Sequence, residues 1–354
     1  MALRVDLRVP SCRPIPGVVD FVRQCEDAGL NGVGLLDSQL LVRDIFVTMG
    51  MVAHQTRRIK IMTCVTNPVT RHPAILASAI ASIAEMAPGR VELILGSGYS
   101  AVRTIGLTPA TVAQMRDAVL AIRRLLQGET VKFNGVSSHL AFPPQHPIPI
   151  YVAAVNPRVI ELAAEVADGV LLQVGMSPGI LATARRHIEE GARRADRAPA
   201  DVKVAVCLRV AVAKDVRAAL EESRSVCANW VLEKHRSRWL KAAGIPIPEF
   251  AEFPPEVRAI YPDLSHPEDP VAARKATAFL SEEMLRAICD ALGVVGPEKH
   301  LFQRLKEAEE WGVSHVYLMT PATYELPREV LAAFKHNPSR GVGRDHAPSG
   351  ETSS

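Results

Sequence analysis

Short apolar segments alternate with longer segments of helical periodicity along most of the chain, and this alternation constrains the fold more than any other feature. In the first unit, residues 3–9 are followed by Val18, Val22 and Cys25 at helical spacing, and Gly29 ends the predicted helix. The same order repeats through the chain. The predicted strands cover residues 3–9, 32–37, 59–65, 91–95, 150–154, 169–174, 202–212 and 314–319.

Short apolar strands that are each followed by a helix form parallel sheets covered by helices. Eight such units predict an α/β fold, a closed (β/α)8 barrel of the TIM type, and a doubly wound open sheet is the competing arrangement. In a barrel of this kind the active site lies at the carboxyl ends of the strands. The loops that follow the strands are therefore where functional residues are expected.

Two segments interrupt the alternation. Residues 129–142 alternate around Asn134-Gly135, which predicts a β-hairpin inserted before the fifth strand. Residues 215–292 predict a helical insertion between the seventh and eighth strands, too long for a plain loop. Residues 1–336 are thus predicted to form one domain, and residues 337–354, rich in Gly, Pro, Ser and charges, a disordered tail.

The composition excludes several classes of protein. The 354 residues carry 41 Lys and Arg against 38 Asp and Glu, a formal charge of +3, with no basic stripe of the kind that nucleic-acid binding needs. The six cysteines form no C-x-x-C pair. Charges at Arg4, Asp6 and Arg8 argue against a signal peptide, and no segment approaches the roughly 18 apolar residues that span a bilayer. A cytoplasmic protein with no nucleic-acid or membrane partner is expected.

The predicted strand ends carry small and polar residues. They show no cluster of His and carboxylates, so no metal site is expected, and His72 is interpreted as a helix cap before Pro73. Gly96-Ser97-Gly98 lacks the third glycine of a dinucleotide fingerprint, because Ala101 stands there. Residues 98–102 lack the closing glycine of a nucleophile elbow, because Val102 stands there. Asn156-Pro157-Arg158 fits either a phosphate site at a helix N-terminus or a plain capped helix.

Three motifs together carry a resemblance to a known family. Residues 64–73 (CVTNPVTRHP), 88–90 (PGR) and 96–103 (GSGYSAVR) are similar to the core pattern of the bacterial luciferase-like superfamily. They resemble in particular its branch of deazaflavin-dependent oxidoreductases, which includes methylenetetrahydromethanopterin reductase. Residues 149–154, 167–170 and 293–298 continue the match in order. The resemblance implies the same barrel, including a hairpin before the fifth strand and a helical excursion near the eighth.

The resemblance also implies a cofactor site. The bond Cys64–Val65 matches a non-prolyl cis peptide that backs the cofactor ring, and Asp37 and Asn67 match residues that contact the ring. Further implied positions are Ser97 and Gly98 in the third motif, the phosphate segment Val155, Asn156, Arg158 and Val159, and Gln173 and Met176 on the substrate side.

Two departures from the family pattern bear on catalysis. Ser38 stands where related sugar-phosphate dehydrogenases have a histidine, and a serine is a poor acid at neutral pH. Tyr99 stands where they have an acidic residue, which leaves Tyr99, Asp6 or water as proton donors. Asp37, Ser38 and Tyr99 are thus the catalytic candidates, and glucose 6-phosphate is disfavoured as the substrate.

The resemblance implies an enzyme that transfers a hydride between coenzyme F-420, an 8-hydroxy-5-deazaflavin, and a small organic substrate. A luciferase-like monooxygenase that uses FMN, oxygen and a separate flavin reductase is the alternative, and a non-catalytic flavin-binding barrel is a third. A homodimer is expected. Within the insertion, aromatic residues are candidates either for the pocket roof or for packing against the barrel: Trp230, Trp239, Phe250, Phe253 and Tyr261.

Overall fold

The computed structural model describes residues 3–247, 253–261, 263–265, 267–321 and 324–337. Phe250 and nearly all of the predicted tail lie outside the described residues.

The strands form one large sheet and one hairpin. They are β1 (Arg4–Val9), β2 (Gly32–Leu35), β3 (Lys60–Thr63), β4 (Val91–Leu95), β5 (Val131–Phe133), β6 (Val136–Ser138), β7 (Ile150–Ala154), β8 (Gly169–Leu172), β9 (Lys203–Val212), β10 (Gly293–Gly296) and β11 (His315–Met319).

Eight parallel strands close into a barrel in the order β1, β2, β3, β4, β7, β8, β9, β11. Closure comes from the pairing of β11 with β1, where Asp6 lies opposite Tyr317, and of β8 with β9, where Gly169 lies opposite Lys203. The predicted (β/α)8 barrel is confirmed, and the open sheet is excluded by this closure.

Helices cover the outside of the barrel and build the insertion. They are α1 (Ile15–Asp27), α2 (Ile45–Gln55), α3 (Pro73–Met86), α4 (Ser100–Arg103), α5 (Val112–Leu126), α6 (Pro157–Val166), α7 (Pro178–Arg194), α8 (Val216–Leu232), α9 (Lys234–Ala242), α10 (Pro255–Arg258), α11 (Pro270–Ala276), α12 (Glu282–Leu292), α13 (Glu298–Glu310) and α14 (Arg328–His336).

Local signals fix where several of these helices begin. Pro73 is the first residue of α3, and the ring of His72 accepts the amide of Ala74, so the expected cap is present. Thr111 and Gln114 form a capping box at the start of α5.

The two insertions lie where the sequence places them. Strands β5 and β6 pair antiparallel across Asn134-Gly135, between β4 and β7. Helices α8 to α12 lie between β9 and the last barrel strand. The short strand β10 was not predicted. It pairs with the second half of β9, past the residues that pair with β8, and Gly293 lies opposite Arg209. This strand is defined by its pairing with β9, and the sequence of residues 293–296 alone does not reveal that pairing.

Apolar side chains fill both the barrel interior and the layer between the sheet and the helices. Inside, Met62, Ile94, Leu171 and Tyr317 pack together. The interior floor is ionic, because the Arg4 guanidinium donates to Asp6 at 2.9 Å and to Glu92 at 2.5 Å. This ion-paired layer closes one end of the barrel interior, so the interior is reached from the carboxyl ends of the strands.

Candidate functional site

A cavity of about 570 Å³ lies at the carboxyl ends of the barrel strands. This volume suits a cofactor or small-molecule site. Every residue that the sequence nominated as catalytic or cofactor-binding lines it: Asp37, Ser38, Cys64, Val65, Asn67, Ser97, Gly98, Tyr99, Val155, Asn156, Arg158, Val159 and Gln173. The structure brings these residues together, and their individual roles remain predictions.

The wall after β3 contains the expected backbone feature, since the Cys64–Val65 peptide is cis. Val65 is packed against Gly96, where an added Cβ would stand 2.8 Å from Val65 Cγ2. Burial raises the pKa of the Cys64 thiol to about 12, which keeps it protonated and unreactive. Cys64 therefore acts through its shape rather than as a nucleophile.

The oxygen of the Asn67 side-chain amide is hydrogen-bonded to the backbone, and its nitrogen has no partner among the described residues. Its Oδ1 accepts the amides of Val69 at 3.1 Å and Thr70 at 2.9 Å, which holds the turn after β3. Its Nδ2 is buried and has no hydrogen-bond partner among the described residues. A buried, unpaired donor is costly, so this atom marks a place where a ligand acceptor fits.

Asp37 lies at the same edge with both carboxylate oxygens occupied. Oδ1 accepts from Gln39 Nε2 at 2.7 Å, and Oδ2 accepts from Thr66 Oγ1 at 2.6 Å and from the Arg71 guanidinium. The Arg71 guanidinium also pairs with Asp44 at 2.7 Å. Asp37 is thereby fixed in position by three side chains.

Ser38 and Tyr99 occupy different environments. Ser38 Oγ lies 3.1 Å from Ser100 Oγ, so its hydroxyl is held by a second hydroxyl. The Tyr99 ring lies between the guanidinium groups of Arg103, at 4.1 Å, and Arg236, at 5.7 Å. Burial raises the pKa of Tyr99, so its phenol stays protonated and can donate a proton or hydrogen bond.

The loop after β7 forms a standard helix start. Asn156 Oδ1 accepts the amide of Arg158 at 3.1 Å and its carbonyl accepts the amide of Val159 at 2.9 Å. The capped-helix interpretation is confirmed, and these two amides are engaged in the cap. The Arg158 side chain is exposed at the cavity rim, where it remains a cation that an anionic group can approach.

Two expectations are corrected, and one open alternative is decided. Asp6 is fully buried on the barrel floor beside Arg4 and does not line the cavity, so it is not a candidate proton donor there. Met176 is fully buried behind the wall, where its amide and carbonyl bond to Ala291 and Arg304. For the aromatic residues of the insertion both pocket roof and packing had been open, and the described ones do not line the cavity: Trp230 and Trp239 are in the core, Phe253 packs against it, and Tyr261 is 63% exposed.

The insertion instead contributes polar groups that sequence reasoning missed. His235 and Arg236 of α9 and Ser265 line the cavity, and Trp239 Nε1 ties α9 to the carbonyl of Val155 at 2.8 Å. Arg8 on β1 and Arg209 on β9 line the same cavity. These two could have been found, since Arg8 continues the alternate series Arg4 and Asp6 on one face of β1, and Arg209 is a charge among apolar residues in the second half of β9.

A second concavity, of about 730 Å³, lies outside the barrel between α3, α5 and the hairpin. None of the nominated residues line it. Among the described residues no three His, Cys, Asp or Glu side chains are close enough to hold a metal ion, and no helix there could cross a membrane.

A family model described as luciferase-like monooxygenase matches residues 3–315. The chain belongs to the luciferase-like monooxygenase family. Two proteins of similar sequence are named as enzymes. The 5,10-methylenetetrahydromethanopterin reductase of Methanolobus tindarius is 32% identical over 243 residues, covering 64% of this chain and 73% of that protein. The F-420-dependent glucose-6-phosphate dehydrogenase of Kineococcus radiotolerans is 31% identical over 229 residues, covering 59% and 68%.

Solved structures agree on the fold of this luciferase-like chain. The coenzyme F-420-dependent tetrahydromethanopterin reductase from Methanopyrus kandleri superposes with a TM-score of 0.75 at 21% identity, covering 96% of this chain and 98% of that one. At this identity the similarity shows the fold alone. The family predicted from the sequence motifs is confirmed.

Proposed function

We propose that the protein is an oxidoreductase that transfers a hydride between coenzyme F-420 and a small organic substrate. The named relatives support this proposal, because two of them depend on F-420 or reduce a pterin substrate. The observation that carries it within this chain is the unpartnered Asn67 Nδ2 beside the Cys64–Val65 peptide, at the mouth of a barrel.

The chemical groups that line the cavity suit the parts of the cofactor. Val65 offers an apolar surface for a ring, and Asn67 Nδ2 offers a donor for a ring-edge acceptor. Asn156 and Arg158 lie at a helix N-terminus, where the helix dipole and a cation favour a phosphate. When bound, the deazaflavin supplies the hydride chemistry, and the protein positions the substrate and excludes water.

Tyr99 is the proposed donor of a proton or hydrogen bond to the substrate. Its raised pKa keeps the phenol protonated, and its ring is held between two guanidinium groups. Asp37 positions the neighbouring loop through Arg71 and Thr66, and Ser38 bonds to Ser100.

An FMN-dependent monooxygenase that works with a separate flavin reductase is the second candidate, because the matching family model is described as luciferase-like monooxygenase. The two candidates share the ring and phosphate sites. Measured cofactor preference separates them.

The deciding experiment is a pair of titrations of purified apoprotein with F-420 and with FMN, followed by tryptophan fluorescence. Trp239 is hydrogen-bonded to Val155 of the phosphate loop, so its emission should respond to either cofactor. Binding of F-420 at micromolar or lower concentration, with FMN at least tenfold weaker, is expected. Tight FMN binding without F-420 binding would overturn the first candidate in favour of the monooxygenase, and binding without any turnover would favour a non-catalytic flavin-binding barrel.

A homodimer and a cytoplasmic location are also proposed. Large apolar side chains are exposed on the adjacent helices α2 and α3, with Val47 58% and Ile75 59% exposed and Met51 and Met86 also above 40%. Covering such a face is a common reason for subunit association. Light scattering should give twice the chain mass, and Met51→Glu with Ile75→Glu should return the monomer.

A further inference from the structure

Three arginines line the cavity wall, and of these Arg236 has the carboxylates of Glu233 and Asp263 near enough to act on its pKa. Arg8 lies on β1, Arg209 on β9, and Arg236 on α9 of the insertion, and all three line the same cavity. Arg8 is only 7% exposed, and the Arg236 Nε is buried without a hydrogen-bond partner. In the part of the chain that the structure describes, none of the three forms an ion pair with a carboxylate.

Other buried arginines of this fold are partnered, which makes these three unusual. Arg4 pairs with Asp6 and Glu92, Arg304 bonds to Glu307 and the Met176 carbonyl, and Arg90 bonds to Thr56 and three carbonyls. Each of these guanidinium groups has carboxylate, hydroxyl or carbonyl partners from the chain. An unpaired buried charge is costly, so a cluster of three is retained at the expense of stability.

The three side chains also act on one another. Burial and the nearby charges of Arg236 and Arg8 lower the pKa of Arg209 to about 10. Burial likewise lowers the pKa of Arg8 and of Arg236. Arg236 is held in place by the faces of Trp230, at 5.3 Å, and Tyr99, at 5.7 Å. The cluster is a preorganised positive field that an anion would relieve.

Arg8 and Arg209 lie on strands away from the loop proposed for the cofactor phosphate, whereas Arg236 lies on α9, which Trp239 ties to the Val155 carbonyl of that loop. In the closed barrel, β1 is diametrically opposite β7, which leads into Asn156 and Arg158, and β9 is separated from β7 by β8. Tyr99, the proposed donor, lies beside Arg236. An anion that Arg8 and Arg209 hold together with Arg236 would therefore place its attached carbon chain near Tyr99, while the cofactor phosphate is proposed at Asn156 and Arg158 after β7.

We propose that Arg8, Arg209 and Arg236 bind the organic substrate through an anionic group that carries at least two negative charges, a phosphate monoester or a dicarboxylate. This inference rests on the proposed function in that the bound anion is the substrate of the same cavity. Guanidinium groups bind such oxyanions through paired hydrogen bonds, which gives both affinity and orientation.

The test is a calorimetric titration of the protein saturated with whichever cofactor it binds, using inorganic phosphate and succinate as probes. Arg209→Gln and Arg236→Gln should each weaken binding of the preferred probe at least tenfold. Both variants should change cofactor affinity less than twofold. The matched control, Arg158→Gln, should weaken cofactor binding and leave probe affinity within twofold once the cofactor is saturating.

Thermal unfolding without anions separates a binding role from a structural one. Because Arg209 is repelled by its neighbours, Arg209→Gln should keep or raise the melting temperature, and the probe should raise that of the wild type only. Arg209→Lys, which keeps the charge, should retain part of the probe affinity if the glutamine variant misfolds. Unchanged probe affinity in Arg209→Gln and Arg236→Gln, or loss of cofactor affinity instead, would overturn the assignment. Repeating the probe titration on apoprotein keeps this result independent of which cofactor binds.

Discussion

The oxygen and the nitrogen of the Asn67 side-chain amide have different surroundings, so a substitution can test the role of the nitrogen. The oxygen holds the turn after β3 through Val69 and Thr70, and the nitrogen has no partner. Replacing Asn67 by alanine would disturb both functions at once. Replacing it by aspartate keeps an acceptor for the turn, removes the donor and adds a negative charge.

We expect Asn67→Asp to lower cofactor affinity at least tenfold, the order expected for about 1.4 kcal/mol or more when a buried donor becomes an acceptor. Fluorescence titration measures the affinity, and the melting temperature should move by only a few degrees. Wild-type affinity in this variant would show that Asn67 Nδ2 does not face the ring.

At Asn156, substitutions can change the charge beside the proposed phosphate site while keeping the helix cap. We expect Asn156→Asp to weaken binding of F-420 or FMN, because it places a negative charge beside the phosphate, while aspartate caps the helix as well as asparagine does. Asn156→Ser is the matched control, because it keeps a capping oxygen without the charge. Equal affinity in the two variants would mean that the phosphate binds elsewhere.

At the scale of elements, the packing of α6 against α7 depends on one glycine. Gly191 of α7 faces the carbonyl of Glu161 on α6, and an added Cβ would stand 2.1 Å from that oxygen. A backbone group cannot yield as a flexible side chain can, so the helices would have to move apart. Gly17 in the first turn of α1 has nothing within 4 Å of its added Cβ.

Gly191→Ala should therefore lower the free energy of unfolding by about 1–3 kcal/mol through overpacking. Gly17→Ala, the control, should raise it by about 0.5–1 kcal/mol through helix propensity. Urea denaturation followed by far-UV circular dichroism compares the two. Equal shifts of the two midpoints would show that helix propensity, and not the α6–α7 contact, sets the effect.

The elements that the sequence predicted are those set by short-range rules. Pro73, the Thr111 capping box and Asn134-Gly135 each act within a few residues, so helix starts and the hairpin could be placed from pattern alone. The strand β10 and the entry of Arg236 into the cavity depend on partners far away in the chain. No local periodicity contains that information.

The site was predictable to a different extent. Motif order brought the nominated residues to one cavity, yet it could not show that Asp37 is already bound by Arg71 and Thr66. Nor could it show that Asp6 faces the barrel floor, because an inward position on a barrel strand is compatible with either end.

At the scale of the whole molecule, the ionic floor of the barrel couples stability to pH. Burial and the charge of Arg4 lower the pKa of His315 to about 4, and burial raises that of Asp6 to about 6. Arg4 Nη1 lies 3.3 Å from His315 Nε2 and can only donate, so the ring is a neutral acceptor there.

The two groups oppose each other as pH changes. Below pH 6.5 the unfolded chain protonates His315 and the folded protein does not until about pH 4, so His315 costs stability on acidification. Asp6 keeps its proton in the folded protein up to about pH 6, so its stabilising effect is lost as pH rises from 3.8 through 6.

Melting temperatures between pH 4.5 and 8 should separate the two contributions. His315→Gln should gain stability relative to the wild type at the acidic end, by on the order of 3 kcal/mol at most. Asp6→Asn should gain relative stability at the alkaline end instead. Parallel profiles for all three proteins would show that neither group titrates differently in the folded and unfolded states.

The unusual length of β9 has a consequence for how the protein could acquire new substrates. Its first half belongs to the barrel, and its second half pairs with β10 from Arg209 to Val212, so the wall beside Arg209 is a hydrogen-bonded ladder. Insertions or deletions there would shift the backbone pairing, whereas α9 contributes His235 and Arg236 to the cavity from a helix of the insertion. Directed evolution of substrate range should therefore accumulate its accepted mutations in the helical insertion and leave the ladder unchanged.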